Sequence, residues 1–239
     1  MINHPNLIVM LTTDDYTSAD AYNIFECCKY SNAEYWGMKE APLPVSDMKK
    51  LYSYMKKYNK KTILEVVSYN EKECIDGTKI AVECNCDILM GTYFFDSVNE
   101  ICIENNIRYM PFVGEVTERP SVLNGDIDEM IEQAYALQKK GVYGFDLLGY
   151  RYTGNQQTLI NKFICAVNAP ICIAGSIDNF EKLDFIRSSS PWAFTVGSAF
   201  FKNKFDGTFC EQINKVCEYI QNNDVYKPGW KNAEKILSV

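Results

Sequence analysis

Histidine is nearly missing from this chain: 239 residues contain only His4. It precedes the first apolar run and reads as an exposed N-terminal residue. Chemistry built on a histidine base or a His-rich metal centre is therefore not expected. The ten cysteines contain no Cys-x-x-Cys, and no Cys/His cluster has zinc spacing. No apolar stretch is long enough to span a membrane, and no signal-peptide pattern is read at the start. Lys/Arg-rich runs are absent and the net charge is −7. That balance argues against a broad nucleic-acid or anionic-membrane surface, because phosphate backbones are bound chiefly by Lys and Arg. With only 13 Gly and 8 Pro, the chain is neither low-complexity nor disordered. The turn after the first apolar run, Thr12-Thr13-Asp14-Asp15-Tyr16, holds no glycine. A doubly wound dinucleotide-binding sheet would place its glycine fingerprint there.

What the chain does have is a strand-helix beat. Eight apolar runs occupy residues 7–11, 34–38, 62–67, 87–90, 107–113, 142–148, 171–174 and 193–196. Helical periodicity lies between them, as in Met130, Ile131, Ala134 and Leu137. Helix starts are expected at Ser46-Asp47, Asp96-Ser97 and Asp178-Asn179. Eight βα units without a composition break predict a single-domain α/β (βα)8 TIM barrel over residues 1–223. Residues 224–239 are then a C-terminal tail packed on the barrel or on a partner. The cysteines, scattered through apolar patterns, read as small core residues in a reducing cytoplasm.

In such a barrel, function collects at the C-terminal tips of the strands. Two tips rhyme. Ala174-Gly175-Ser176 closes the seventh run and Val196-Gly197-Ser198 the eighth. Small-residue turns leave backbone N–H groups facing outward, and the following helix adds its positive end. Gly175, Ser176, Gly197 and Ser198 are therefore the expected phosphate-binding residues. Arg151, between Tyr150 and Tyr152, either forks onto a phosphate or carboxylate or stacks on a tyrosine at the surface.

Carboxylates inside apolar strands are costly unless paired or functional. Glu65 in Ile63-Leu64-Glu65-Val66-Val67 and Asp146 in Phe145-Asp146-Leu147-Leu148 are two such groups. Lys39, at the tip of the neighbouring strand, is the natural partner. As a catalytic set, Lys39, Glu65 and Asp146 would converge in the barrel mouth, the lysine shifted toward neutral pH and a carboxylate shifted upward. As a structural set they would simply pair. Asp14 and Glu115 are weaker candidates.

These turns and the eightfold beat resemble the ribulose-phosphate-binding barrel superfamily. The segment from Gly149-Tyr150-Arg151-Tyr152-Thr153 to the seventh strand is distantly similar to N-acetylmannosamine-6-phosphate epimerases. It departs from them at Ala174, where that family has an acid, and at Val67-Ser68, where it has a lysine. Residues 86–177 also resemble glycerol-3-phosphate-responsive antiterminators. The resemblance implies an enzyme acting on a small phosphorylated metabolite without metal or cofactor, by isomerase, epimerase or carbon–carbon lyase chemistry beside a carbonyl. The alternative is a non-catalytic phosphate-ligand sensor or an antiterminator-like regulator. Neither nucleic acid nor membrane is an expected partner, and self-association into a homo-oligomer is left open.

Overall fold

The computed structural model of the protein describes residues 4–222, so the tail expected from residue 224 lies outside the described residues. Eight parallel strands form the sheet: β1 (Asn6–Met10), β2 (Tyr35–Lys39), β3 (Lys61–Val66), β4 (Ile88–Gly91), β5 (Arg108–Met110), β6 (Phe145–Leu147), β7 (Ile171–Ile173) and β8 (Ala193–Val196). The hydrogen-bonded order runs β6-β7-β8-β1-β2-β3-β4-β5. A parallel bridge from Phe112 to Asp146 joins its two ends, with Asp146 N–H donating to the Pro111 carbonyl at 3.0 Å. The sheet is thus closed, and the (βα)8 barrel is the fold; an open doubly wound sheet would have kept two edges.

The strands read as unbroken apolar runs because both faces are covered. Outward residues such as Leu7, Val9, Trp36, Leu64 and Phe145 pack under the helices. Inward residues Ile8, Met10, Ile63, Ile88, Met90, Met110, Cys172 and Ala193 fill the barrel as a second cluster. Gly37 lies on this inner face, and its missing side chain leaves room for the Met10 thioether.

The surrounding helices are α1 (Ala21–Cys28), α2 (Val45–Lys57), α3 (Glu71–Glu83), α4 (Asp96–Glu104), α5 (Ile127–Gln138), α6 (Gln156–Ala166), α7 (Phe180–Ser189), the four-residue α8 (Ser198–Phe201) and α9 (Phe209–Gln221). Asn179 caps α7, accepting from Lys182 N–H as expected. The other two starts shift. α2 begins at Val45 after the extended Pro44, so Ser46 and Asp47 already lie in its first turn. α4 takes Asp96 as its first residue and has no side-chain cap. An acidic group inside the first turn serves through the helix dipole rather than as a cap.

Several expectations change in extent. The run at 107–113 yields only three strand residues, as does the run at 142–148. Two short hairpins were not anticipated: Thr12–Thr13 with Tyr16–Thr17, and Glu115–Thr117 with Val122–Asn124. Glu115 is an exposed hairpin residue rather than a strand-tip group. His4 is half-buried, beside Glu34 and Tyr35 at the opposite end of the barrel from the strand tips. All ten cysteines are unpaired; seven are buried, Cys210 is half-buried, and Cys27 and Cys165 are exposed. Among the described residues no helix is long and apolar enough to cross a membrane.

Candidate functional site

A cavity of about 460 Å³ opens at the C-terminal tips of the strands. Its inner wall carries Lys39 and Glu65, neighbours in register on β2 and β3. Inside a barrel, that register aims both side chains the same way. The Lys39 ammonium lies 3.1 Å from Glu65 Oε1. The Thr17 hydroxyl holds the Lys39 backbone, accepting from its N–H and donating to its carbonyl, each at 2.8 Å. The strand that bears the lysine is thereby fixed to the first hairpin.

That hairpin supplies a residue that the sequence reading passed over. Asp14 and Asp15 form its two-residue turn, with φ of 50° and 65°. A tight hairpin turn of this hand needs left-handed backbone at both positions, which Asp tolerates better than most residues. The turn drives the Asp15 side chain into the mouth, where it is 6% exposed. Its carboxylate accepts from the Lys39 ammonium at 3.1 Å, from both terminal nitrogens of Arg151 at 2.9 and 3.0 Å, and from Ser121 N–H at 3.2 Å. Arg119, on the second hairpin's loop, donates to the Asp15 carbonyl at 3.0 Å and to Glu40 at 3.1 Å. Asp15 was visible in sequence only as one of several tip residues. Its partners lie 24 to 136 positions away.

Arg151 therefore forks onto a carboxylate, and that carboxylate is Asp15. Neither Tyr150 nor Tyr152 carries it. Four charges follow one another as Arg151, Asp15, Lys39 and Glu65, with side-chain exposures of 21%, 5%, 5% and 8%.

Their protonation follows from this arrangement. Burial alone would raise Asp15, but the Arg151 hydrogen bonds and the nearby Lys39 outweigh it and hold the carboxyl well below the usual range. Burial would likewise lower Lys39, yet the charges of Glu65 and Asp15 raise it above its ordinary value. The expectation of a lysine shifted toward neutral pH is thus reversed: two flanking carboxylates keep it an ammonium. Asp146 shows the expected upward shift. Burial, reinforced by the charge of Glu65, raises it well above the usual carboxylate range. It is 0% exposed, neither of its oxygens has a hydrogen-bond partner, and it is not part of the cavity wall. The structure brings Lys39 and Glu65 together at the cavity and keeps Asp146 behind it, within electrostatic reach of Glu65.

The outer wall is formed by the two Gly-Ser turns. Gly175 has φ of +88° and Ser176 of +51°, so the seventh tip bends through left-handed backbone that glycine adopts freely. Gly197 lies so near the first hairpin that a Cβ would meet the Thr12 side-chain oxygen at 2.9 Å and its carbonyl oxygen at 3.0 Å. Ser198 Oγ accepts from Asp14 N–H at 3.2 Å, tying the eighth tip to the first hairpin. Among the described residues, no backbone group accepts from the N–H of Gly175, Ser176, Gly197 or Ser198. Lys202 and Lys204 line the same end of the cavity, and Lys202 shares Asp14 at 3.3 Å. Among the described residues no group of three or more His, Cys, Asp or Glu is placed to hold a metal ion.

No family profile matches this chain, and no curated protein matches it in sequence. Solved structures do match in shape. The chain is similar to a tryptophan synthase alpha chain from Legionella pneumophila subsp. pneumophila, with TM-score 0.64 and 12% identity over 93% of this chain and 94% of that one. It is similar to the N-acetylmannosamine-6-phosphate 2-epimerase from Clostridium perfringens, with TM-score 0.60 and 15% identity over 90% and 92% of the two chains. It is also similar to a glycerol uptake operon antiterminator regulatory protein from Listeria monocytogenes, with TM-score 0.56 and 15% identity over 81% and 91%. The last two are the kinds of protein that the sequence resembles. At these identities the likeness establishes the shared (βα)8 fold.

Proposed function

We propose that the protein is an enzyme that binds a small phosphorylated metabolite across the barrel mouth and moves a proton beside its carbonyl group. The observation that carries this reading is the polarity of the cavity. A buried Lys39–Glu65 pair stands at its inner wall; N–H groups without a backbone acceptor, Lys204, the ion-paired Lys202 and Asp14, and Asp178, which is paired with Lys182, stand at its outer wall. Phosphate would sit on the N–H groups of Gly175, Ser176, Gly197 and Ser198. Arg151 braces that wall from the Asp15 side rather than offering a free fork.

At the inner wall, removing a proton beside a carbonyl places negative charge on the carbonyl oxygen. The Lys39 ammonium is the group that would stabilise that oxygen, and Glu65 the base that would take the proton. A lysine held as an ammonium is a poor nucleophile, which speaks against Schiff-base chemistry at Lys39 in the free enzyme. Asp146, sealed behind the wall and protonated, does not touch a substrate. In its neutral form it adds no second negative charge beside Glu65. The setting we propose is cytoplasmic, consistent with ten unpaired thiols.

The test is a panel of phosphorylated aldoses, ketoses and keto acids, read by thermal shift and by product formation. Binders should stabilise the protein by mass action, and Lys39→Met should remove turnover while phosphate esters still bind. A panel without a single stabilising phosphate ester overturns the reading. Binding without turnover of any member would favour the sensor instead.

A further inference from the structure

The charges in the cavity are not spread evenly, and their distribution selects among phosphate esters. At the inner wall, Arg151 and Lys39 face Asp15 and Glu65. Two cations meet two carboxylates, and the set is neutral. All four side chains are mostly buried, so water does little to screen what enters beside them. Much of the donor capacity is also engaged. The Lys39 ammonium lies 3.1 Å from a carboxylate oxygen of both Asp15 and Glu65, so pairing with the two leaves one of its three protons for a ligand. Arg151 commits three of its five N–H groups: both on Nη1, to Asp15 and the Ser121 carbonyl, and one on Nη2, to Asp15. A carboxylate placed there would find no uncompensated cation and two carboxylates already in place. Burying an anion on those terms is costly. A hydroxyl or carbonyl oxygen can take a remaining donor without bringing a charge.

The outer wall differs. Lys204 lines the cavity, and among the described residues no carboxylate is paired with it. The uncompensated positive charge therefore lies at the outer end alone, on the side of the Gly-Ser turns.

We propose that the site takes phosphate monoesters whose far end is an uncharged hydroxyl or carbonyl, that it rejects phosphorylated carboxylic acids, and that Asp15, which pairs with Arg151 and shares Lys39 with Glu65, sets this choice by completing the neutrality of the inner wall. The inference rests on the phosphate-binding reading above and adds the class of the substrate's other end. It also assigns Asp15 a specificity role that its position in the sequence did not suggest.

The experiment is calorimetric titration of the full chain with matched pairs that differ at one terminal group. Glycerol 3-phosphate is compared with 3-phosphoglycerate and, for a longer ligand, glucose 6-phosphate with 6-phosphogluconate; inorganic phosphate is the control. The uncharged member of a pair should bind tenfold or more tightly, a difference of about 1.4 kcal/mol. Asp15→Asn leaves one unit of positive charge uncompensated and should narrow or invert that ratio by about tenfold. Glu65→Gln, which keeps the Asp15–Arg151 pair, should move the ratio the same way, so a poorly folding Asp15→Asn does not block the test. Equal affinity for both members of each pair, with inorganic phosphate still binding, overturns the inference and leaves the phosphate site standing. Ratios unchanged in both variants overturn the role of Asp15. Failure of inorganic phosphate and all four esters to bind overturns the phosphate-binding reading itself, and this inference with it.

Discussion

The stem of Arg151 lies across the α-carbon of Gly175: a Cβ at residue 175 would come within 2.7 Å of Arg151 Cγ and 3.0 Å of its Cδ. This contact joins the two halves of the site. The turn that would hold phosphate is also the surface against which Arg151 is pressed. Arg151 in turn fixes Asp15, and Asp15 fixes Lys39. A change at the outer wall is therefore felt at the inner one through three side chains in contact.

Replacing Gly175 with Ala should thus do more than strain the backbone. Alanine at a left-handed φ costs about 1–2 kcal/mol wherever it occurs. Gly141 offers the control, because its φ is +86° and nothing lies within 4 Å of a Cβ there. Gly141→Ala should lower the melting temperature through backbone strain alone and leave phosphate-ester affinity unchanged. Gly175→Ala should lower it further and weaken ester binding, because Arg151 must move. Equal effects of the two variants on both measurements would remove the proposed coupling.

Lys39 and Glu65 should be strongly coupled in stability. Lys39→Met leaves the Glu65 carboxylate buried without its cation, which costs about 3–5 kcal/mol. Asp15 loses less, since Arg151 and Ser121 still hold it. Adding Glu65→Gln to Lys39→Met removes the stranded charge and should recover part of the loss. A double-mutant cycle from urea unfolding should then show at least ~1 kcal/mol of interaction. Strict additivity would mean that the pair is not closed in solution.

Asp146 makes stability fall as pH rises, the reverse of an ion-paired carboxylate. Its folded carboxyl is raised by burial and by Glu65, so the folded protein keeps a proton that the unfolded chain releases above about pH 4. Folding then takes up a proton. Relative to Asp146→Asn, the wild type should lose ~1.4 kcal/mol of stability per pH unit from about pH 4 up to the folded pKa, and the difference should level off below that window. Asp15 has the opposite sign: its carboxyl is lowered, so its contribution is present above about pH 4 and is lost as pH falls. Melting curves of both proteins at successive pH values read the difference directly. Parallel curves between pH 5 and 8 would show that Asp146 titrates as an ordinary acid.

The eight strands were legible because a parallel strand covered on both faces must be apolar throughout, so each left a mark in the sequence without reference to any other. The Gly-Ser tips were legible for a similar reason: a small residue at a strand end is a local feature, and Gly175 needs its left-handed φ whatever lies around it. Glu65 and Asp146 stood out as carboxylates among apolar neighbours, again a local contrast. The extents of the strands at 107–113 and 142–148 were less clear, because buried loop residues such as Phe112 and Leu148 are as apolar as strand residues.

The sequence alone determined the fold class, the two glycine turns and the presence of charge inside the barrel. Only the tertiary structure decided which charges meet. Asp15 follows another aspartate in a polar turn, with nothing local to separate it from Asp14. The hairpin twist sends Asp15 inward and leaves Asp14 exposed. Arg151 was expected to fork onto a phosphate or carboxylate or to stack on a tyrosine; which carboxylate it meets was decided by closure of the barrel, which brings residue 15 beside residue 151. In the catalytic reading Lys39 was expected to shift toward neutral pH, yet it is shifted the other way. Coulomb energy depends on distance, and the second carboxylate 3.1 Å away belongs to a hairpin that the sequence does not place beside it.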